Sequence, residues 1–290
     1  MLHRTISTIT LLAILFCAVY FGGIYGIVAL ATVVSALALF EYYRLAEHFG
    51  AMPRKTLGIG ISALMIPSVF YTSSCDRFTS GLETLFLIVA AFVILYALFL
   101  MKTQRIPAAH KQLATTSGVI YLPFMISFFA ILVGKYAMNG VLLCVWVLLA
   151  TKFTDVGGLV VGCTLGKHKL APNISPNKTW EGVAGGIVFS MLVGAGTIFA
   201  FNHFGLWELG ENATLPADFA FPIWLAAVGA IPFAATSVVS DLVESVIKRQ
   251  AGDKDSGHTI PGMGGALDLL DSLVLVAPVG YVVVKLVVLA

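Results

Sequence analysis

The stretch Met138–Gly162 reads MNGVLLCVWVLLATKFTDVGGLVVG, an apolar run interrupted by two charges, Lys152 and Asp155. A helix needs about 20 mostly apolar residues to cross a bilayer, so this run is long enough to span one. Lys152 and Asp155 are spaced to share one helical face. Two interpretations stay open: an ion pair that allows both charges to be buried, or site residues that face a polar cavity.

The rest of the chain has the same apolar character. Mean hydropathy is +0.95 and only 11% of the 290 residues are charged, which excludes an ordinary soluble globular protein. We predict an all-α, polytopic integral membrane protein with about nine transmembrane helices. The predicted spans are 6–22, 24–43, 57–74, 84–101, 113–133, 138–162, 182–202, 220–240 and 266–289.

The distribution of Lys and Arg predicts the orientation of these spans. With the N-terminus inside, most of the Lys and Arg residues fall in cytoplasmic loops, which matches the positive-inside pattern. The loops 163–181 and 241–265 then lie on the cytoplasmic side. The chain carries no evident targeting extension, which favours a bacterial inner (plasma) membrane. The net charge of +2 is too small to indicate a nucleic-acid partner.

The two halves of the chain differ in polar content. Residues 1–140 form an N-terminal region of transmembrane helices joined by short basic loops, and residues 141–290 form a predicted C-terminal catalytic region. The second region contains small-residue stripes. Gly158, Gly162 and Gly166 are spaced four apart, as are Gly182 and Gly186. Such stripes are typical of closely packed membrane helices.

A polar loop follows the Met138–Gly162 run, with the sequence GKHKLAPNISPNKTWEG over 166–182. Ser175 or Thr179 is suited to cap the next helix. Capping does not account for the three cations Lys167, Lys169 and Lys178. Cations beside a helix N-terminus favour phosphate binding, so the loop is a candidate phosphate site.

A second polar segment begins at Asp241 and continues as SVIKRQAGDKDSGHTIPGMGGALDLLD over Ser245–Asp271. On a helix, Asp241, Ser245 and Lys248 share one face. Asp268 and Asp271 follow a Gly-rich turn and are predicted to share a helical face too. Carboxylates from two helices favour Mg²⁺ bound together with substrate phosphates. The alternatives are a solvated helix end for the first group and helix-dipole complementation for the second.

These motifs together resemble the phosphatidate cytidylyltransferase (CDP-diacylglycerol synthase) family. The residues that match its C-terminal motif in order and spacing are Ser245, Lys248, Arg249, Lys254, Asp255, Pro261, Gly262, Gly264, Gly265, Asp268 and Asp271, with Asp241 one turn earlier. The stretch from Asp155 to Gly182 resembles the family's second conserved block. Two positions differ from the family pattern: Met263 stands where His is usual, and Leu269 where Arg is usual.

The resemblance implies a membrane enzyme that converts CTP and phosphatidate, a membrane lipid, to CDP-diacylglycerol and pyrophosphate with Mg²⁺ as cofactor. Its active site would face the cytoplasm, and a homodimer is possible. The implied catalytic residues are Asp241, Lys248, Asp268 and Asp271, of which Asp241, Asp268 and Asp271 would bind the metal. The implied substrate-binding residues are Ser175, Lys178, Ser245, Arg249, Lys254, Gly264 and Gly265.

Two other functions remain open at this point. Met263 and Leu269 are compatible with an inactive homologue, or with one that acts on another lipid phosphate. Nine spans alone would permit a transporter. Transporters place charges on broken helices near the middle of the membrane, whereas most polar motifs here fall at one cytoplasmic level.

Overall fold

The computed structural model describes residues 2–48, 50–75, 106–209, 221–253, 255–257, 259–260 and 264–289. The predicted span 84–101, the predicted substrate contact Lys254 and the family departure Met263 lie outside the described residues.

Helices make up most of the described chain. In order, the elements are α1 (Leu2–His48), α2 (Lys55–Ser74), α3 (Ile106–Val119), a π-helical turn (Ile120–Phe124), α4 (Met125–Leu165), β1 (Lys169–Ala171), β2 (Ser175–Thr179), α5 (Trp180–His203), a 3-10 turn (Leu206–Leu209), α6 (Ile223–Gln250), α7 (Ala266–Leu270) and α8 (Val276–Leu289). The π-helical turn contains Pro123. Its missing N–H removes one helical hydrogen bond, which accounts for the local widening.

Five segments in the described ranges are long and apolar enough to cross a membrane. They are Ala13–His48, Lys55–Ser74, Leu113–Leu165, Trp180–His203 and Ile223–Gln250, with the shorter apolar helix Val276–Val287 in addition. The membrane-protein class is therefore supported by the structure, whereas the predicted count of nine spans is not confirmed.

Two long helices contain a non-helical residue where the sequence predicts separate spans. In α1, Gly23 has φ 53° and ψ −136°. Glycine adopts positive φ readily, so the Gly22-Gly23 pair is a natural breakpoint between the predicted spans 6–22 and 24–43. In α4, Ala137 has φ 49° and ψ −126° and replaces the predicted loop between 133 and 138. Ala137 alone thus separates the two segments of α4 for which the sequence predicts a longer connection.

Two other sequence predictions are corrected by the structure. The predicted span 266–289 is divided, because α7 ends at Leu270 and α8 begins at Val276. The structure also contains a short antiparallel hairpin that the all-α prediction did not include. It is formed by β1 and β2, with Lys169 paired with Thr179 and Ala171 with Ser175. The hairpin is short enough that Pro176 is tolerated within it, next to the turn.

The described chain forms two compact units. The first unit comprises 1–134 and 247–270, and the second comprises 135–246 and 271–290. The predicted division at 140/141 concerns function, and it stays a prediction.

In the first unit, α1 packs against α2 and α7. The buried Tyr43 of α1 donates a hydrogen bond to the Thr115 carbonyl oxygen at 2.8 Å. A Cβ at Gly58 of α2 would overlap the Tyr43 hydroxyl, so α2 approaches α1 closely only because this residue is glycine. The Tyr43 hydroxyl therefore takes part both in a hydrogen bond to the Thr115 backbone and in the close contact between α1 and α2.

In the second unit, α4 and α5 pack through their glycines, as the small-residue stripes predict. A Cβ built at Gly182 would lie 2.9 Å from the Gly158 carbonyl oxygen and 3.3 Å from the Gly162 Cα. A Cβ at Gly186 would lie 2.8 Å from the Thr154 carbonyl oxygen. The packing interpretation of these glycines is confirmed, and it brings the backbones of α4 and α5 together beside the β hairpin.

We expect Gly182→Ala to destabilise the protein by about 1–3 kcal/mol, because the added methyl group has no room against backbone atoms. Gly196→Ala on the same helix is the matched control, since its Cβ would meet nothing within 4 Å. Thermal unfolding of both variants in one detergent measures the difference. Equal melting temperatures for Gly182→Ala and Gly196→Ala would contradict the close contact.

Candidate active site

A cavity of about 380 Å³ lies within the second unit. Its polar lining combines three carboxylates with one ammonium group. The lining residues are Thr154, Asp155, Gly158, Leu159, Asn177, Lys178, Thr179, Gly182, Val183, Val238, Asp241 and Asp271. Acidic and basic side chains that meet in one cavity of an apolar protein mark a candidate functional site.

Asp155 is placed in this cavity by α4, and its neighbour Lys152 lies one turn earlier. The Lys152 ammonium donates to the Ser272 hydroxyl at 2.8 Å and to Asp271 Oδ1 at 3.5 Å. Of the two interpretations left open by the sequence, the structure favours a cavity position for Asp155. Through these hydrogen bonds, Lys152 connects α4 with the residues that follow α7.

Lys178 and Asp241 form an ion pair across the cavity lining. Lys178 is the penultimate residue of β2, and Asp241 lies on α6. Both side chains are about one quarter exposed, at 23% and 24%, so solvent and an anionic ligand can reach the pair. Of the three lysines in the predicted phosphate site, Lys178 is the one that the structure places in the cavity lining.

The start of α5 fixes the position of the hairpin. The Thr179 hydroxyl accepts a hydrogen bond from the Gly182 amide at 3.1 Å, so Thr179 is the helix cap and Ser175 lies in β2. The Glu181 carboxylate accepts hydrogen bonds from the amides of Lys167 and His168 at the other end of the loop. Lys178 is therefore held between a capped helix and a paired strand.

Asp271 reaches the cavity from the non-helical stretch 271–275. Ser240 of α6 donates a hydrogen bond to the Asp271 carbonyl oxygen and accepts one from the Leu275 amide at 3.4 Å. Ser240 is fully buried. Together with Lys152, it holds both ends of this stretch, which is why the chain turns at Asp271 and does not continue as a helix.

Asp268 belongs to the first unit and is surrounded by donors there. Its Oδ1 pairs with the Lys248 ammonium at 2.9 Å, and its Oδ2 accepts from the Ser256 hydroxyl at 2.7 Å and the Gly265 amide at 2.7 Å. Gly264 has φ 99°, and a Cβ there would overlap Asp268 Oδ2. The turn thus requires glycine on two grounds, strain and space.

The electrostatic state of Asp268 follows from these contacts. Asp268 lies on α7, outside the segments that are candidate membrane spans. Burial opposes ionisation, but the Gly265 amide, the Lys248 ammonium and Ser256 together hold the pKa of Asp268 below its ordinary value. Asp268 is therefore the ionised partner of Lys248.

One geometric prediction for the acidic pair is wrong. Asp268 and Asp271 do not share a helical face, because α7 ends at Leu270. Asp241 and Asp271, in contrast, line the same cavity. The remaining predicted catalytic and substrate residues within the described ranges do not line it: Ser175 lies in β2, Ser245, Lys248 and Arg249 lie on α6, and Gly264 and Gly265 precede α7. Their roles stay predictions.

Three site residues were missed by sequence reasoning: Asn177 and Thr154 line the cavity, and Ser240 holds the turn at Asp271. Lys152 was singled out, but its contact with Ser272 was not predicted. Asn177 lies next to Lys178 on β2, so recognition of the hairpin would have pointed to it. Ser240 directly precedes Asp241, but no sequence motif marks it as a site residue.

The cavity has the donor chemistry of a site for a hard divalent cation. Asp155, Asp241 and Asp271 supply carboxylate oxygens, which suit Mg²⁺ when substrate phosphates complete its coordination. Among the described residues, no three His, Cys, Asp or Glu side chains are grouped as a ready-made metal site. One or two carboxylates with phosphate oxygens is the usual arrangement for Mg²⁺, so the residues present fit it.

The cytidylyltransferase family model matches residues 2–287, nearly the whole chain. The chain belongs to the cytidylyltransferase family. Several relatives carry the name phosphatidate cytidylyltransferase. The one from Haemophilus influenzae is 29% identical over 95% of this chain and 96% of its own length. The one from Synechocystis is 29% identical over 98% and 96%.

A third relative of that name, from Staphylococcus haemolyticus, is 31% identical over 75% of each chain. The family match covers both units and both polar segments.

Proposed function

We propose that this cytidylyltransferase transfers the cytidylyl group of CTP to phosphatidate, forming CDP-diacylglycerol and pyrophosphate. The observation that carries the proposal is the cavity in which Lys178, Asp241 and Asp271 meet. It combines a cation for phosphate oxygens with carboxylates for a divalent ion. The relatives with this activity in their name support the choice of substrates.

The reaction joins two phosphates. A phosphate oxygen of phosphatidate attacks the α-phosphorus of CTP, a new P–O–P bond forms, and the bond to the β-phosphate breaks to release pyrophosphate. The attacking oxygen is already anionic near neutral pH, so no strong base is required. Positioning and charge neutralisation are then the main contributions of the protein.

The residues of the cavity divide these tasks. Lys178 neutralises phosphate charge, and its ion pair with Asp241 keeps the ammonium directed into the cavity before substrate arrives. Asp241 and Asp271, with Asp155 beside them, would hold Mg²⁺. When bound there, Mg²⁺ would supply stabilisation of the negative charge on the phosphate of the transferred cytidylyl group. Asp268 stays a predicted ligand whose oxygens accept hydrogen bonds within the first unit.

We further propose that the protein lies in a bacterial inner membrane with the site facing the cytoplasm. The excess of Lys and Arg in the segments 163–181 and 241–265 supports this orientation. One substrate is soluble and the other is a membrane lipid, so a site at the boundary serves both.

The test is incorporation of labelled CTP into lipid by the purified, folded protein in mixed micelles, with and without Mg²⁺. A panel of lipid phosphates should include phosphatidate and lysophosphatidate. We expect Mg²⁺-dependent incorporation with phosphatidate preferred. Incorporation with another lipid phosphate alone would favour a changed substrate, which Leu269 in place of the family's Arg motivates. A folded protein that incorporates no CTP with any acceptor would refute the proposal.

A further inference from the structure

Glu41 of α1 is a buried carboxylate that the proposed reaction does not use. Its side chain is 2% exposed. Three polar groups surround it: the Thr259 hydroxyl donates to Oε1, the Leu267 amide donates to Oε2 at 2.8 Å, and the Ser256 hydroxyl, whose single proton is shared with Asp268, lies 3.3 Å from Oε2. All three belong to the stretch between α6 and the end of α7, in the same compact unit as Glu41.

The hydrogen bonds continue from Glu41 to the charged pair on that stretch. The Ser256 hydroxyl lies within reach of both Glu41 Oε2 and Asp268 Oδ2, at 3.3 and 2.7 Å. Asp268 in turn pairs with Lys248 at 2.9 Å. Glu41 is therefore linked through one hydroxyl to the carboxylate that fixes Lys248.

Two glycines show how closely this stretch surrounds Glu41. A Cβ at Gly257 would lie 2.7 Å from Oε1 and 2.9 Å from the carboxylate carbon of Glu41, and its three nearest atoms all belong to Glu41. A Cβ at Gly265 would overlap Oε2 of Glu41. The stretch encloses the carboxylate so tightly that neither position has space for a methyl group.

A buried carboxylate is a costly way to join two segments, because apolar side chains of similar volume would pack α1 against α7 without a charge. The donors that offset this cost are not spread over the unit. They lie on the stretch that contains Asp268, and one of them contacts Asp268 directly. The arrangement favours a role in the geometry of the Asp268–Lys248 pair over simple attachment of α1.

We propose that Glu41 is a positioning residue for transfer of the cytidylyl group. It holds Ser256 and the start of α7 so that Asp268 keeps Lys248 in place; the inference rests on the proposed function and on the predicted catalytic role of Lys248. The requirement is for acceptors in the correct geometry. Glutamine retains a carbonyl oxygen for Ser256 and Leu267, and its amide can donate to the Thr259 hydroxyl.

The experiment compares Glu41→Ala, Glu41→Gln and Ser35→Ala in the CTP incorporation assay, with protein amount and folding matched. Ser35 is the control, because it is also buried on α1 but contacts Ser62 of α2. We expect Glu41→Ala to lower kcat about 10–100-fold, the usual effect of losing an outer partner of a site, with KM for CTP unchanged. Glu41→Gln and Ser35→Ala should retain most of kcat.

A double mutant tests whether the contact itself transmits the effect. Gly257→Ala alone should lower kcat, because its methyl group displaces Glu41. In the Glu41→Ala background the obstacle is gone, so the second substitution should have no further effect. The proposal would be overturned if the two substitutions lowered kcat multiplicatively in the double mutant. It would also be overturned if Glu41→Ala were fully active, or if Glu41→Gln were as impaired as Glu41→Ala.

A second readout separates this inference from the proposed function. Hydrogen exchange at the amides of Ser256, Gly265 and Leu267 should accelerate in Glu41→Ala and stay as in the wild type in Ser35→Ala. A wild-type protein without CTP incorporation would refute the proposed function, and the exchange comparison would then decide whether Glu41 orders this stretch. Unchanged exchange in Glu41→Ala refutes the positioning role whatever the activity.

Discussion

Asp241→Asn is expected to lower kcat for CTP incorporation by about 10²–10³-fold, comparable to the loss of a group that stabilises transition-state charge directly. Asparagine keeps the size of the side chain and one oxygen that can accept from Lys178. The substitution therefore removes the negative charge from the cavity while preserving its shape. The measurement is kcat as a function of Mg²⁺ concentration, in protein whose folding matches the wild type.

The control for this prediction is Glu208→Gln. Glu208 is an exposed carboxylate on the 3-10 turn after α5 and is not part of the cavity lining. The Glu208→Gln variant measures the effect of removing the charge of a carboxylate elsewhere in the same unit. An Asp241→Asn enzyme as active as Glu208→Gln would show that the Asp241 charge has no part in the reaction.

Lys178→Ala is expected to raise KM for CTP by about 10–100-fold, since a hydrogen bond to a charged group contributes about 1.5–3 kcal/mol. The loss should appear mainly in KM, because in the proposed role Lys178 would contact phosphate charge that is present before the reaction as well as during it. Initial rates over a range of CTP concentrations at saturating phosphatidate measure the change.

Lys169→Ala is the matched control, because Lys169 lies on the partner strand of the same hairpin, paired with Thr179, but does not line the cavity. It removes an equal charge from the same hairpin. If both lysine variants raise KM equally, the loop acts through its overall charge and the specific position of Lys178 is irrelevant.

The features that depend on local pattern were predictable from the sequence. The length of the apolar runs locates α2, α5 and most of α6. The Gly22-Gly23 pair locates the break in α1. The four-residue spacing of Gly158 and Gly162 predicts the contact of α4 with α5. Thr179 was one of two candidate caps. Asp241 and Asp271 were chosen from their chemistry, and the structure places both in one cavity.

The features that depend on distant contacts were not predictable. The helix stops at Leu270 because Ser240 and Lys152 bind the stretch that follows, and neither contact leaves a local pattern. The short strands around Pro176 also fall below the length at which alternation is visible. The surroundings of Glu41 also leave no local signal, since its partners lie more than 200 positions further along the chain.

That separation has a consequence for how the protein is made. Glu41 leaves the ribosome 215 residues before Ser256, which at about 5–20 residues per second is a delay of roughly 10–40 s. Throughout that interval the carboxylate lacks the donors that later enclose it, so its burial as an unpaired charge would be costly while the helices that follow insert. The contacts of Glu41 are thus completed only after translation has nearly finished.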